Sequence, residues 1–281
     1  MNRVAIWGTG QGGRMLLDLL RADMNVVAFC DNNRTLHGTT IKGVPVMNEE
    51  QIVELNPDHM YVAILNKEAC VQVKEQIRSL GLQCRITLIT EFREQFDVRL
   101  AVLRLIAKEI RDRDISGAVA ELGVYRGAFA AEINRMFPDR KLYLFDTFDG
   151  FDARDIEIEK ENRFSRYEQG KFGNTSMDNV REVLPHPEQA LFRAGYFPDT
   201  ALGLEEKFAL VSLDADLYRP MYEGLHFFYP KLSKGGYIIL HDYNSSQFLG
   251  AGEATKKFCR ENDVHLVPLC DLHGSAVIVK P

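Results

Sequence analysis

Short runs of apolar residues alternate along this chain with longer stretches whose apolar positions recur at helical spacing, and the alternation is set up twice. In the first pass VAIW and NVVAFC read as strands around a helix from Gly12 to Ala22, followed by the polar turn DNNRTLHGTT. GVPV, a helix around Asn48 to Leu55, the run MYVAIL, a helix from Lys67 to Leu80 and a strand at ITLI continue the pattern. Residues 1–90 are therefore expected to form a short Rossmann-like α/β domain.

From Glu91 to Asp114, Phe92, Phe96, Leu100, Leu103, Ile106 and Ile110 recur at helical spacing between charges, which predicts a helical connector of one or two helices over 91–114. The second alternation starts after Gly117. AVAELG, KLYLF, ALFRA, FALVSLD and GYIILHD read as strands, with helices at Ala128–Met136, Met177–Leu184, Met221–Leu232 and Ala254–Asn262. The closing runs HLVPL and SAVIVK are separated by a few residues including Gly274, which permits antiparallel pairing. The expected fold class is α/β, with a mostly parallel Rossmann-like sheet and an antiparallel last strand over 115–281. Between Gly150 and Gly173 lies a charged stretch, FDARDIEIEKENRFSRYEQGKF, too long for an ordinary connection. It reads equally as a lid over a ligand or as a mobile surface insertion.

Composition narrows the class. The 281 residues carry a formal net charge of -6 with Lys and Arg interspersed among Asp and Glu, so no basic patch marks a nucleic-acid surface. Cys30, Cys70, Cys84, Cys259 and Cys270 are odd in number and never spaced C-x-x-C, against a disulfide framework or a zinc knuckle. Met1 is followed within a few residues by VAIWG, with no basic n-region and apolar run, and no apolar stretch approaches a membrane span. The expectation is a soluble cytoplasmic protein with no nucleic-acid or membrane partner.

In open α/β sheets ligands sit beyond the carboxyl ends of the strands. Here those ends carry Glu121, Asp146, Asp214, His241 and Asp242. Glu121 opens ELGVYRG, where Gly123 and Gly127 allow a tight turn and close approach to a ligand. Asp146 lies one helix and one strand further on, where a carboxylate can accept the two hydroxyl hydrogens of a ribose. ELGVYRG lacks the G-x-G-x-x-G pattern that brings a helix onto a pyrophosphate, which favours an adenosine cofactor without phosphates.

ELGVYRGAFAAEI, YLFDTFDGF, AGYFPDT and LDADLYRPMYEGLHFFYPKLSKGGYIILHDY, in this order and spacing, resemble the macrocin and mycinamicin (TylF-like) sugar O-methyltransferase family. The motifs cover nearly all of residues 115–281. The resemblance implies a class I methyltransferase fold and S-adenosylmethionine, held by Glu121, Gly123, Tyr125, Gly127, Asp146, Thr147 and Phe148. It also implies a sugar or glycoconjugate hydroxyl as acceptor and a divalent metal, usually magnesium, at Asp214 and Asp242. Where the family usually has DDY this chain has HDY, so His241 stands in place of a carboxylate. An imidazole there weakens magnesium or shifts preference toward manganese, iron or zinc. Alternatively His241 is the general base, with Asp214 the other candidate by resemblance. Asp216 ranks below Asp214, and Tyr218 and Arg219 are candidates to line the acceptor pocket.

The stronger glycine fingerprint lies upstream. GTGQGG follows a strand and precedes an acidic strand end, placing Gly8, Gly10, Gly13 and Asp31 near a nucleotide or nucleotide-sugar. A degenerate domain kept for packing or for a homo-oligomer is an equal expectation. Two other functions stay open: an NAD-linked oxidoreductase using this fingerprint, although no Tyr-x-x-x-Lys pair follows it in this segment, and a non-catalytic nucleotide-binding protein.

Overall fold

The computed structural model describes residues 3–281, apart from the side chain of Glu94. The chain divides into two compact units, the first ending at Asp97 and the second running Val98–Pro281.

Unit 1 consists of β1 (Arg3–Trp7), α1 (Gln11–Leu19), β2 (Asn25–Cys30), β3 (Thr40–Ile41), β4 (Val44–Met47), α2 (Glu49–Leu55), β5 (His59–Val62), α3 (Lys67–Ser79), β6 (Arg85–Leu88) and α4 (Ile89–Gln95). Its strands order as β3-β4-β2-β1-β5-β6, parallel throughout except for the β3–β4 pair. Asn48 caps α2 in a reciprocal capping box with Gln51, and Asn66 caps α3, which fixes where both helices begin. Trp7, Ala28, Cys30, Ile52, Met60, Val62 and Ile77 form its core.

Unit 2 consists of α5 (Val98–Asp112), β7 (Ala118–Leu122), α6 (Ala128–Met136), β8 (Leu142–Asp146), α7 (Ala153–Asn162), α8 (Met177–Val183), β9 (Ala190–Ala194), β10 (Phe208–Leu213), α9 (Tyr218–Phe228), β11 (Leu232–Leu240), α10 (Leu249–Asn262), β12 (Val267–Pro268) and β13 (Ala276–Val279). The seven strands order as β12-β13-β11-β10-β7-β8-β9. β13 runs antiparallel to both β11 and β12, and the remaining neighbours are parallel, as expected. The first strand is central and the order reverses beside it, which opens a crevice at the carboxyl edge between β7 and β10.

Two predicted segments take a different form. The stretch 91–114 forms two helices, within the one or two expected, but they fall in different units: it breaks at Phe96 and Asp97, leaving Phe92 and Phe96 exposed on the unit 1 side. Beyond the break α5 turns Arg99, Leu103, Ile106, Ala107 and Ile110 inward onto Val119, Leu210 and Ile239 of the unit 2 sheet. Burying each of its large aliphatic side chains contributes roughly 1.5–3 kcal/mol.

The stretch 150–173 is not a plain loop either, because Asp152 accepts a hydrogen bond from the Arg154 amide and starts α7. Its Glu159 Oε1 accepts the Tyr218 amide at 2.8 Å, and Leu249 N–H donates to the Phe164 carbonyl at 3.2 Å. Phe164 stacks on Tyr218 and Tyr167 on Phe248. The segment forms a wall of the unit rather than a surface insertion.

Candidate functional site

The carboxyl edge of the unit 2 sheet collects its polar groups by strand register. Ser212 of β10 lies opposite Glu121 of β7 and opposite Ile239 of β11, so these side chains share the face that α5 covers. Two residues on from Ser212 and Ile239 come Asp214 and His241, while the intervening Leu122, Leu213 and Leu240 point into the core on the opposite face. Alternation thus places one polar row and one apolar row at the same edge.

Next to this row is a cavity of about 450 Å³ lined by Glu121, Gly123, Tyr125, Asp146, Thr147, Asp214 and Asp216 among others. Phe145, Phe151, Phe172, Tyr196 and Phe197 supply its apolar wall. Gly127 and Phe148 are not part of the lining. Phe148 instead packs toward Phe192. A Cβ on Gly127 would meet Val180 at 2.9 Å, so that glycine serves the packing of α8. Gly123 has φ +85, and a Cβ there would lie 2.1 Å from the Asp214 carbonyl oxygen. Its close approach is to the β10 backbone rather than to a ligand, which ties the glycine turn to the residue that ends the fourth strand of the unit.

Asp146 organises that turn. Its Oδ2 accepts the amides of Val124 at 2.7 Å and Tyr125 at 2.8 Å, and its Oδ1 accepts the Phe148 amide at 2.7 Å. With three lone-pair directions used by backbone, the carboxylate has room for one further donor rather than two. Tyr125, at φ +49, donates its hydroxyl to Asn174 at 2.9 Å, and Thr147 donates to the Gly150 carbonyl at 2.7 Å.

Asp214 and Asp216 of the lining stand in a cluster with His241 and Asp242, and each of the four offers a ligand atom, all within 4.8 Å of one another. His241 Nδ1 faces both Asp214 Oδ1, at 3.0 Å, and Asp242 Oδ2, while its Nε2 lies 3.3 Å from His273 Nδ1. Burial would lower the His241 pKa, but the charges and hydrogen bonds of Asp214 and Asp242 push it up to about 10. Burial likewise opposes ionisation of Asp214, yet His241 and Arg99 hold its carboxyl well below the usual range. Asp216, desolvated and facing Asp242 and Asp214, is pushed well above it. The cluster is therefore a His241 imidazolium beside an ionised Asp214, with ionisation of Asp216 disfavoured. The donor set itself, three carboxylates and one imidazole, fits a divalent ion once His241 gives up its Nδ1 proton.

One residue of this site, Arg99, was not singled out by sequence, and another, Asp216, was ranked below Asp214. Asp216 sits just past β10 at φ +61, a left-handed turn that brings it back against Asp242. Arg99 comes from α5, is 9% exposed, and donates Nη2 to Asp214 Oδ2 at 2.9 Å and to Ser212 Oγ at 3.3 Å, with its guanidinium 3.8 Å over the Phe129 ring. Its signal was available: Arg99, Leu103, Ile106 and Ile110 are one helical stripe, and a charge on a core stripe demands a partner. Glu121 is 1% exposed, and burial pushes its pKa well above the usual range against the opposing charge of Arg99.

In unit 1 the corresponding turn closes on itself. Asp31 Oδ2 accepts the amide and hydroxyl of Thr9 at 2.8 and 2.6 Å, and Oδ1 accepts the Asn33 amide at 2.9 Å. A Cβ on Gly13 would lie 2.0 Å from the Gly8 carbonyl oxygen, whereas one on Gly10 would meet nothing within 4 Å. Gly8, Gly10, Gly13 and Asp31 are thus brought together, with Gly13 needed for packing.

Comparison with known proteins places this geometry. The chain is 30% identical over 151 residues to mycinamicin III 3''-O-methyltransferase of Micromonospora griseorubida, covering 49% of this chain and 59% of that protein. It is 26% identical over 156 residues to demethyldecarbamoylnovobiocin O-methyltransferase of Streptomyces niveus, covering 52% of this chain and 60% of that one. The aligned stretch thus spans about three fifths of the length of these curated relatives. Among solved structures, the O-methyltransferase NovP superposes with a TM-score of 0.52 at 25% identity, covering 65% of this chain and 79% of NovP. The profile described as Macrocin-O-methyltransferase (TylF) matches residues 16–280, reaching upstream into unit 1, beyond the motifs at 115–281. On that match, over nearly its whole length, the chain belongs to the macrocin O-methyltransferase (TylF) family.

Proposed function

We propose that unit 2 binds S-adenosylmethionine in the 450 Å³ cavity and transfers its methyl group to a hydroxyl of a sugar or glycoconjugate. The observation that carries this reading is the juxtaposition, on one cavity, of a fully buried carboxylate at Glu121 and the ionised, cation-paired Asp214. Glu121 Oε2 is buried and finds no hydrogen-bond partner among the described residues, which suits it to an ammonium group. The turn held by Asp146 lines the adenosine end, and Phe151, Phe172, Tyr196 and Phe197 supply flat apolar surface for a base. The cofactor supplies an electrophilic methyl on a sulfonium. The chain supplies position, dryness and a place for the proton.

As the acceptor oxygen gains a carbon its O–H becomes strongly acidic, so a carboxylate as weakly basic as Asp214 suffices to take the proton. His241, charged in the resting cluster, then acts by orienting and stabilising Asp214 rather than as first base. A divalent ion would be held by Asp214, Asp216, Asp242 and deprotonated His241 and would polarise the acceptor hydroxyl. The mixed oxygen and nitrogen set favours manganese, iron or zinc over magnesium.

For unit 1 the supported role is a nucleotide or nucleotide-sugar module built on Gly8, Gly10, Gly13 and Asp31. The oxidoreductase alternative is dropped, since the family transfers methyl groups and the fingerprint aspartate is engaged by its own turn. Among the described residues no helix is long and apolar enough to cross a membrane.

Calorimetry with S-adenosylhomocysteine, followed by mass spectrometry of a panel of nucleotide-linked and glycoside sugars incubated with S-adenosylmethionine, tests the proposal. Binding with a gain of one methyl on a sugar hydroxyl is expected. A folded protein that binds no cofactor at millimolar concentration overturns it.

A further inference from the structure

We propose that Arg99 is the cationic half of a zwitterion receptor whose anionic half is Glu121, and that it reads the α-carboxylate at the amino-acid end of the cofactor. This rests on the cofactor reading above and adds to it a residue from outside the seven-stranded sheet.

Arg99 and Glu121 line the same cavity, and both are more than nine-tenths buried. Each carries an unsatisfied atom: Nε of Arg99 and Oε2 of Glu121 find no hydrogen-bond partner among the described residues. Buried polar atoms are almost always paired, and a donor and an acceptor left over beside one cavity point to a ligand that brings both an anion and a cation. An α-amino acid is such a ligand.

The two side chains are held apart yet linked by Ser212, whose hydroxyl accepts from Arg99 at 3.3 Å and is hydrogen-bonded to Glu121. Phe129 lies 3.8 Å under the guanidinium and fixes its plane, so Nε is presented in one orientation. Nη2 is already committed to Asp214, 2.9 Å away. Nε and Nη2 lie on the same edge of the guanidinium, so the cofactor's carboxylate meets Nε beside the catalytic aspartate that Nη2 already holds. Arginine suits this double duty because its fork has several donors in a rigid plane, whereas lysine offers a single point charge.

Binding of three ligands to the full chain tests the assignment: S-adenosylhomocysteine, its decarboxylated amine, and 5′-methylthioadenosine, which lacks the whole amino-acid end. Wild type is expected to bind S-adenosylhomocysteine about 10–100-fold more tightly than the decarboxylated amine. In Arg99→Gln that ratio should fall to within about threefold while 5′-methylthioadenosine binds as before, and Arg99→Lys should retain part of the ratio. Equal wild-type affinity for the acid and the amine overturns the assignment, as does an Arg99→Gln variant that weakens all three ligands by one factor. If Arg99→Gln fails to fold, the wild-type ratio and the Arg99→Lys variant decide. Wild type that binds none of the three overturns the cofactor reading itself, and the receptor with it.

Discussion

Both units run a central strand into a glycine turn and a helix, and both anchor that turn on the aspartate at the end of the second strand. In unit 1 Asp31 holds Thr9, and in unit 2 Asp146 holds Val124 and Tyr125. The difference lies in the neighbouring strand ends. β1, β2, β5 and β6 of unit 1 finish on Trp7, Cys30, Val62 and Leu88, whereas the strand ends and following turns of unit 2 present Glu121, Asp146, Asp214 and His241. One architecture carries a better glycine fingerprint and the other carries titratable groups around a cavity. The pairing teaches that the turn is a device of packing, and that chemistry comes from what the sheet edge puts beside it.

The comparison breaks if Asp214 is dispensable. Asp214→Asn is expected to lower kcat about 10³-fold in a methyl-transfer assay while far-ultraviolet dichroism stays unchanged. Next comes the glycine pair: Gly123→Ala forces a Cβ onto the Asp214 carbonyl at φ +85 and should cost about 3 kcal/mol or more in urea unfolding. Gly10→Ala, with open space and φ -69, should cost under about 1 kcal/mol.

The anchoring aspartates sharpen it further. Asp146→Ala should weaken S-adenosylhomocysteine binding about 10-fold or more by calorimetry, because the cavity turn loses three amide contacts. Asp31→Ala should leave that affinity within about twofold and lower stability by roughly 1–2 kcal/mol.

A further effect is one of pH. Burial pushes Asp155 up to about 6 from 3.8, with Tyr196 donating to it at 2.8 Å. The native state therefore binds this proton more tightly than the unfolded chain, so the contribution is fully present below the unfolded pKa and is lost as pH rises through about 6. Asp155→Asn should be more stable than wild type near neutrality, and the difference should shrink by up to about 2–3 kcal/mol as pH falls to about 4.

The strand ends of unit 2 were readable because alternation and the position of each apolar run fix which residue closes a strand. The parallel sheet with its antiparallel β13 followed from the same runs. What escaped has local physical reasons. Asp216 reaches Asp242 through a left-handed residue, which no periodicity shows. α10 starts at Leu249 rather than Ala254 because Gly250 and Gly252 read as a loop, whereas a Cβ on Gly250 would meet Glu159 at 2.3 Å and one on Gly252 the Tyr243 carbonyl at 2.5 Å. They are glycines of close packing. α9 runs Tyr218–Phe228 rather than Met221–Leu232, since Pro220 is tolerated in a first turn and Pro230 ends the helix. α7 was hidden by charge: its inward face holds Asp155 and Glu159, which look solvated until Tyr196 and Tyr218 are brought to them. Arg99 was obscured by reading 91–114 as one connector.

The contact between Arg99 and Asp214 joins segments more than a hundred residues apart, one made before any strand of the unit and one after four of them. Closing so long a loop costs chain entropy that the contact must offset, a cost that grows slowly with loop length. A ligand gripping both ends therefore acts as a clasp on the whole unit. Its amide-exchange signature is slowed exchange spreading through α5 and β10, well away from the cavity.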